Sequence, residues 1–135
     1  MSAANEALAL RFFEEMCNGR RMEVADEILT ADHAYHDPHS PPLGTGPDAM
    51  KETVATYQSI DGHWDVHDVF STEDRVAVRW TGTGSHKVDL MGVPATGRDI
   101  RVEAITILRI EDGRIAENWT NWDTLTLLQQ IGAVP

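Results

Sequence analysis

The spacing of apolar residues changes once along this chain, after Asp61-Gly62, and that change limits the folds it can adopt. Before this point the apolar residues recur every three or four positions, which is typical of amphipathic helices. After it they alternate with polar residues, which is typical of half-buried strands. Helices followed by strands joined by short turns predict an α+β domain, with a curved antiparallel sheet wrapped around the helices.

The first half predicts three helices, over residues 3–17, about 22–29, and 47 to about 60. Asn18-Gly19 ends the first helix, and Pro47-Asp48 begins the third. Residues 30–47 are rich in Pro, Gly, His and Asp, and we expect extended chain and loop there.

The second half predicts strands over residues 63–70, about 76–85, 99–110 and 114–122, and a short helix over 125–130. Glu111-Asp112-Gly113 predicts a tight hairpin turn. In the first of these strands, alternation places Trp64, Val66 and Phe70 on one face. The chain contains no repeat and no linker, so we expect a single domain over residues 1–135.

The charge of the chain limits its partners. Its 22 acidic and 11 basic residues give a formal net charge of -11, which repels nucleic-acid phosphates and anionic lipid headgroups. We therefore expect no nucleic-acid binding. The N-terminus does not resemble a signal peptide, and no apolar run approaches the ~20 residues that span a bilayer. We expect a cytoplasmic protein without membrane contact.

The most specific pattern lies near the C-terminus. Residues 113–123 fit Gly-x-Ile-x-Glu-x-Trp-x-x-x-Asp, and residues 128–132 fit Leu-x-Gln-x-Gly. Together with residues 78–81, 84–86 and 91–98, they resemble the SnoaL-like polyketide cyclases of the nuclear transport factor 2-like superfamily. The resemblance covers nearly the whole chain. It implies a cone, in which the curved sheet surrounds three helices and an apolar pocket lies at the open end.

The resemblance also implies a reaction: ring closure by intramolecular aldol condensation, with an aspartate as acid/base and with neither metal nor cofactor. The expected substrate is a hydrophobic, carbonyl-bearing small molecule. Asp123 matches the family's catalytic aspartate, and burial beside Trp119 and Trp122 would raise its pKa from the ~3.9 of a free aspartate. The alternative is that Asp123 caps the following helix, which would stabilise its anion and weaken it as a base.

A second group is expected at the substrate: His36, which would stabilise the enolate oxygen. The expected substrate contacts are mostly aromatic, and the tryptophans suit a flat ring system, although core packing explains these side chains equally well. These contacts are Phe13, Tyr35, Trp80, Met91, Glu103 and Trp119.

A metal site is not expected. His33, His36 and His39 recur at intervals that converge only on a helix, and Pro38 makes a continuous helix across them improbable. His63 and His67 share a strand face but lie roughly 13 Å apart along it, too far to bind one ion.

Other functions stay open at this point, because one fold hosts many chemistries. An epoxide hydrolase would need a carboxylate pair bridged by an arginine, from Arg79, Arg101 or Arg109. A ketosteroid-isomerase-like enzyme is a related alternative. A non-catalytic binding or dimerisation module would be supported by a filled pocket, or by an Asp123 that bonds only helix N–H groups. The superfamily resemblance also implies a homodimer formed through the exposed face of the sheet.

Overall fold

A computed structural model describes residues 2–40 and 43–135, and it has the α+β architecture that the apolar pattern predicts. The helices are α1 Ala3–Leu10, a π-helix Arg11–Asn18, α2 Val24–Ile28, α3 Pro47–Gln58 and α4 Thr124–Gln130. The strands are β1 Leu29–His36, β2 His63–Thr72, β3 Arg75–Ser85, β4 Asp99–Glu111 and β5 Arg114–Trp122.

The first predicted helix is divided into two parts. Ser2 caps α1, since its side chain accepts a hydrogen bond from the Asn5 N–H. At Arg11 the α-helix gives way to the π-helix, which buries Phe12, Phe13, Met16 and Cys17 against the sheet. Such wide turns are rare and recur near functional sites.

The five strands form one mixed sheet in the order β1-β5-β4-β3-β2. Strands β2 to β5 pair antiparallel, as expected, but β1 pairs parallel with β5. The predicted antiparallel sheet is confirmed for β2 to β5, and β1, from the segment predicted as extended chain and loop, adds a parallel strand at its edge. Its partner is some 80 residues away, so no local pattern reveals the pairing. Residues 41 and 42 of that segment lie outside the described residues.

The core lies between the helices and the concave face of the sheet. Its fully buried aliphatic side chains come from α2, β3, β4 and β5, and include Ile28, Val76, Val78, Leu108 and Ile115. Trp80 lies on the same inner face of β3 as Val76 and Val78, because it packs against the cluster that they belong to.

A β-bulge in β2 exchanges the two faces of that strand. Val66 pairs with Trp80 and Asp68 with Arg79, so His67 is an extra residue. Because side chains alternate with a period of two, every later residue faces the opposite side from that predicted. The shared face expected for Trp64 and Phe70 is wrong: Trp64 is buried, whereas Phe70 is 62% exposed.

A second bulge, in β5, also exchanges the two faces of its strand. Asp112 and Gly113 both have positive φ, 50° and 76°, as the two central residues of a type I′ hairpin turn require. Ile110 pairs with Ile115, but Arg109 then pairs with Glu117, which leaves Ala116 as the extra residue. Beyond it, the buried positions are Asn118 and Thr120.

The helices are short, and none of those in residues 2–40 and 43–135 combines the length and apolarity needed to cross a lipid bilayer.

Leucines in different environments test this packing. Leu108→Ala removes a fully buried side chain and should lower the free energy of unfolding by about 2–5 kcal/mol, since it leaves a cavity. Leu125 in α4 is 59% exposed, so Leu125→Ala should change the free energy by less than about 1 kcal/mol. Urea denaturation measures both, and equal losses would contradict the placement of Leu108.

Candidate functional site

A large cavity opens between the helices and the concave face of the sheet. Its empty volume, including the part that is open to solvent, is about 790 Å³. Its walls are mainly apolar and come from the π-helix, α3 and the sheet, with Phe12, Phe13, Met50, Val54 and Ile100 among them. Size and lining suit a small organic molecule.

Polar side chains also line this cavity, and many of them come from the neighbouring strands β1, β5 and β4 or from the residue just after β1. They comprise Tyr35, Asp37, Thr106, Asn118, Thr120 and Trp122, with Thr53, Tyr57, His63 and Thr83 from other elements. A few polar groups within apolar walls are the usual means of orienting a ligand.

Asp37 follows directly after β1 and is the one carboxylate among the described residues that line the cavity. Its Oδ2 accepts hydrogen bonds from Trp122 Nε1 at 2.9 Å and from the Tyr35 hydroxyl at 3.3 Å. Its Oδ1 accepts the backbone N–H of His39 at 2.9 Å. All three donors are neutral groups, and together they fix the half-buried carboxylate at the cavity.

A row of hydrogen bonds crosses the cavity wall toward Asp37. Trp80 Nε1 donates to Thr106 Oγ1 at 2.9 Å, and the hydroxyls of Thr106 and Thr120 lie 2.9 Å apart. Thr120 also interacts with the hydroxyl of Tyr35, which donates to Asp37. Only the ends of this row have a fixed direction, because the Trp80 indole only donates and the Asp37 carboxylate only accepts, whereas either threonine hydroxyl can donate to the other.

The phenol of Tyr35 stays protonated near neutral pH. Burial, assisted by the negative charge of Asp37, raises the pKa of its phenol well above the usual 10, while the Thr120 hydrogen bond opposes the shift. Burial is also the main cause that raises the pKa of Tyr57. Both phenols are therefore neutral donors near pH 7.

A buried polar pair lies beside Tyr35. His33 Nε2 faces Asn118 Oδ1 at 2.9 Å, and both residues are almost fully buried. Burial lowers the pKa of His33, so the ring is neutral near pH 7 and its Nε2–H donates to the amide oxygen. The Asn118 amide nitrogen is buried and has no hydrogen-bond partner among the described residues.

The predicted substrate contacts divide between the cavity and the outside of the protein. Phe13, Tyr35 and Trp80 line the cavity. Glu103 and Trp119 face away from it, because they lie on the convex side of the sheet, and Met91 is a 42% exposed loop residue next to Leu90, which lines the cavity instead.

His36 also lies on the convex side, which corrects its expected place at the substrate. Its Nε2 contacts Glu117 Oε2 at 2.8 Å, and its ring stacks on Trp119 with centroids 5.5 Å apart. Arg109 Nε donates to the other oxygen of Glu117 at 2.9 Å. The hydrogen bonds from His36 and Arg109 lower the pKa of Glu117. Since the sheet separates His36 from the cavity, His36 does not reach a ligand there.

Asp123 is exposed and caps α4, which corrects its expected burial. Its Oδ2 accepts the Thr126 hydroxyl at 2.6 Å, and Oδ1 accepts the Thr126 backbone N–H at 3.0 Å. These bonds, the hydroxyl first, lower the pKa of Asp123, the opposite of the expected shift. It is absent from the described cavity lining. Asp123 accepts a side-chain hydroxyl as well as a helix N–H, and the cavity is not filled, so neither feature named above for a non-catalytic module is present.

The groups that an epoxide hydrolase or a metal site needs do not meet at the cavity in the described part of the chain. Arg79 pairs with Asp68 and Arg109 with Glu117, and no arginine is found in the described lining. The bridged carboxylates of an epoxide hydrolase are thus not assembled there. Among the described residues, no three His, Cys, Asp or Glu side chains are grouped so as to hold a metal ion.

Comparison with known proteins gives a consistent result. The family model of the SnoaL-like polyketide cyclases matches residues 7–131. The chain is 31% identical over 132 residues to aklanonic acid methyl ester cyclase DauD of Streptomyces sp. strain C5, covering 93% of this chain and 80% of that protein. It is 30% identical to the cyclase of the same name, DnrD, of Streptomyces peucetius, covering 93% and 88%. The solved structure of TsrD from Streptomyces laurentii superposes with a TM-score of 0.84 at 28% identity, covering 99% of each chain.

The cap formed by Asp123 gives a pH-dependent prediction. The native pKa of Asp123 lies below that of an unfolded aspartate, ~3.9, so its stabilising effect is present above that pH and is lost as the pH falls through the native pKa. Asp123→Ala should lower the melting temperature most near neutral pH, with a shrinking difference from wild type below about pH 4. Thermal denaturation at several pH values measures this, and a difference independent of pH would contradict it.

Proposed function

The chain belongs to the SnoaL-like polyketide cyclase family, and from that premise we propose that it closes a ring by an intramolecular aldol reaction within the cavity, with Asp37 as the acid/base. The observation that carries the proposal is the position of Asp37. Among the described residues that line the cavity, Asp37 is the one carboxylate, whereas Asp123 lies outside the lining and bonds Thr126.

The proposed reaction balances without a co-reactant. Asp37 takes a proton from a carbon next to a carbonyl group, and the resulting enolate carbon attacks a second carbonyl of the same molecule. A C–C bond forms, the attacked carbonyl oxygen becomes an alkoxide, and the proton returns there to give a hydroxyl. The neighbouring donors, Tyr35 and Trp122, hold the carboxylate in one orientation.

The cavity supplies the rest of the catalysis by confining the substrate. Its apolar walls favour a folded, ring-like conformation, which brings the two reacting carbons together and removes much of the entropic barrier to closure. Trp80, fixed by its bond to Thr106, offers a flat face for an aromatic ring.

The charge of the chain favours a neutral substrate. The net charge is -11, and the described cavity lining contains neither lysine nor arginine to bind a carboxylate. DauD and DnrD are named for a methyl ester, in which the acid charge is masked. We therefore propose a neutral polyketide ester as the substrate class.

Two aspartate-to-asparagine variants test the base. Asp37→Asn keeps the shape of the side chain but removes its basicity, and turnover of a poly-β-keto methyl ester should fall by about 10²–10⁴-fold. Asp123→Asn is the matched control: asparagine is also a good helix cap, so turnover and fold should be retained. Product formation by chromatography and far-ultraviolet circular dichroism measure both effects.

The reverse pattern, loss of turnover in Asp123→Asn alone with the fold intact, would return the role of base to Asp123. A wild-type protein that binds such esters but converts none of a panel of them would instead favour a non-catalytic binding module.

We also propose a homodimer through the convex face of the sheet. Paired outward residues form an apolar row across the strands, from Phe70 through Ala77 and Ile107 to Trp119. Phe70 and Ile107 are 62% and 41% exposed, and nearby Ile105 is 54% exposed. A large exposed apolar patch of this kind is typical of an interaction surface.

Ile107→Asp tests this interface, because it places a charge at the centre of the row without touching the cavity. The variant should elute as a monomer in size-exclusion chromatography with light scattering, while wild type elutes as a dimer. Val88→Asp, a change at an exposed residue outside the row, is the control and should leave the dimer intact. A monomeric wild-type protein would contradict the proposal.

A further inference from the structure

We infer that the amide nitrogen of Asn118 binds a carbonyl oxygen of the ligand, which makes Asn118 a specificity-determining residue for ketone-bearing rings. The inference deepens the proposed function and rests on it for the claim that the ligand is a substrate. Its evidence is a buried donor that has no partner among the described residues, on a side chain that lines a mainly apolar cavity.

In the structure the amide oxygen of Asn118 faces the ring of His33. His33 donates from Nε2 to the amide oxygen at 2.9 Å, so the oxygen side of the amide is already satisfied. The NH₂ group is therefore the part of Asn118 that can bind a ligand. His33 is thus a positioning residue, since it acts through Asn118 and does not itself line the cavity.

An unpaired buried N–H is rare in folded proteins because losing water without gaining a partner costs free energy. Asn118 is 1% exposed, so bulk water does not satisfy this group. The nearby hydroxyls of Thr106 and Thr120 bond each other, which limits the partners that an isolated water would find. A ligand that carries a hydrogen-bond acceptor into the cavity removes the cost.

The chemistry of the donor selects the acceptor. A neutral amide N–H within apolar walls, with neither lysine nor arginine in the described lining, favours an uncharged acceptor over a carboxylate or phosphate. A ketone or quinone oxygen on a flat ring fits these conditions, because the ring meets the apolar walls while its oxygen meets Asn118.

The register of β1 and β5 fixes where Asn118 and Asp37 lie relative to each other along the cavity wall. Asn118 pairs with Tyr35 within the sheet, whereas Trp122, four residues along β5, bonds Asp37 beyond the end of β1. The strand rise separates Asn118 and Trp122 by roughly 13 Å. Asp37 is nearer than Trp122, because it lies only two residues beyond Tyr35, so a carbonyl held at Asn118 stands roughly 7 Å from the level of Asp37 along the strand.

Two tricyclic probes that differ at one position test the inference by binding alone. The probes are 9-fluorenone, which carries a ring carbonyl, and fluorene, which has a CH₂ group there; quenching of tryptophan fluorescence reports their affinities. The ratio of affinities, fluorenone over fluorene, should be about five- to tenfold larger in wild type than in Asn118→Leu. The exposed Asn121 on the same strand supplies the control, since Asn121→Leu should keep the wild-type ratio.

Infrared spectra of bound fluorenone provide a second measurement that needs no variant. A hydrogen bond from Asn118 should move the carbonyl band of the bound probe below its position in cyclohexane, and Asn118→Leu should return it there. If Asn118→Leu does not fold, the wild-type band decides alone.

An unchanged affinity ratio in a folded Asn118→Leu variant, a wild-type band at the cyclohexane position, or the failure of both probes to bind would each overturn the inference. Because none of these measurements involves turnover, their failure is distinguishable from that of the proposed reaction. A loss of turnover in Asp37→Asn beside an unchanged probe ratio in Asn118→Leu would uphold the reaction and reject the carbonyl contact.

Discussion

One extra residue in β5 decides which side chains the cavity contains. The hairpin turn at Asp112-Gly113 fixes the pairing of the first residues of β5, and the bulge at Ala116 then shifts the register by one. Without the bulge, Glu117 and Trp119 would face the helices. With it, Asn118 and Thr120 lie inside, and Trp119 joins the apolar row on the convex face. The candidate site and the proposed dimer surface thus depend on the same local irregularity.

The parallel pairing of β1 with β5 then completes the site. It places Tyr35 beside Asn118 in the register, and beyond the end of β1 it allows Asp37 to reach the indole of Trp122. His33, from the same strand, orients Asn118. Most of the polar groups that the proposals use therefore stand on two paired strands, which hold them more precisely than loops would.

The architecture was predictable from the sequence, but the inner surface was not. The change of period and the Asp112-Gly113 turn are local signals, and both predict what the structure shows. A bulge leaves no such signal: alternation in β5 favours Trp119 as the buried residue because it is apolar, yet the inner wall there is polar. The pairing of β1 is also invisible locally, so the sequence does not show that Asp37, next to Tyr35 and His36, lies at the cavity. For Asp123 the signal was present, since an aspartate before Thr-Leu is a typical helix cap.

The two aspartates differ in access to the cavity more than in their hydrogen bonding. Asp37 accepts bonds from Trp122, Tyr35 and His39, and Asp123 accepts two from Thr126. Both carboxylates are therefore held, and hydrogen bonding alone does not decide which one acts as a base. A general base must reach the proton that it removes. Only one of these two carboxylates lines the space where a ligand would lie, so the geometry of the cavity favours Asp37 where the sequence motif favours Asp123.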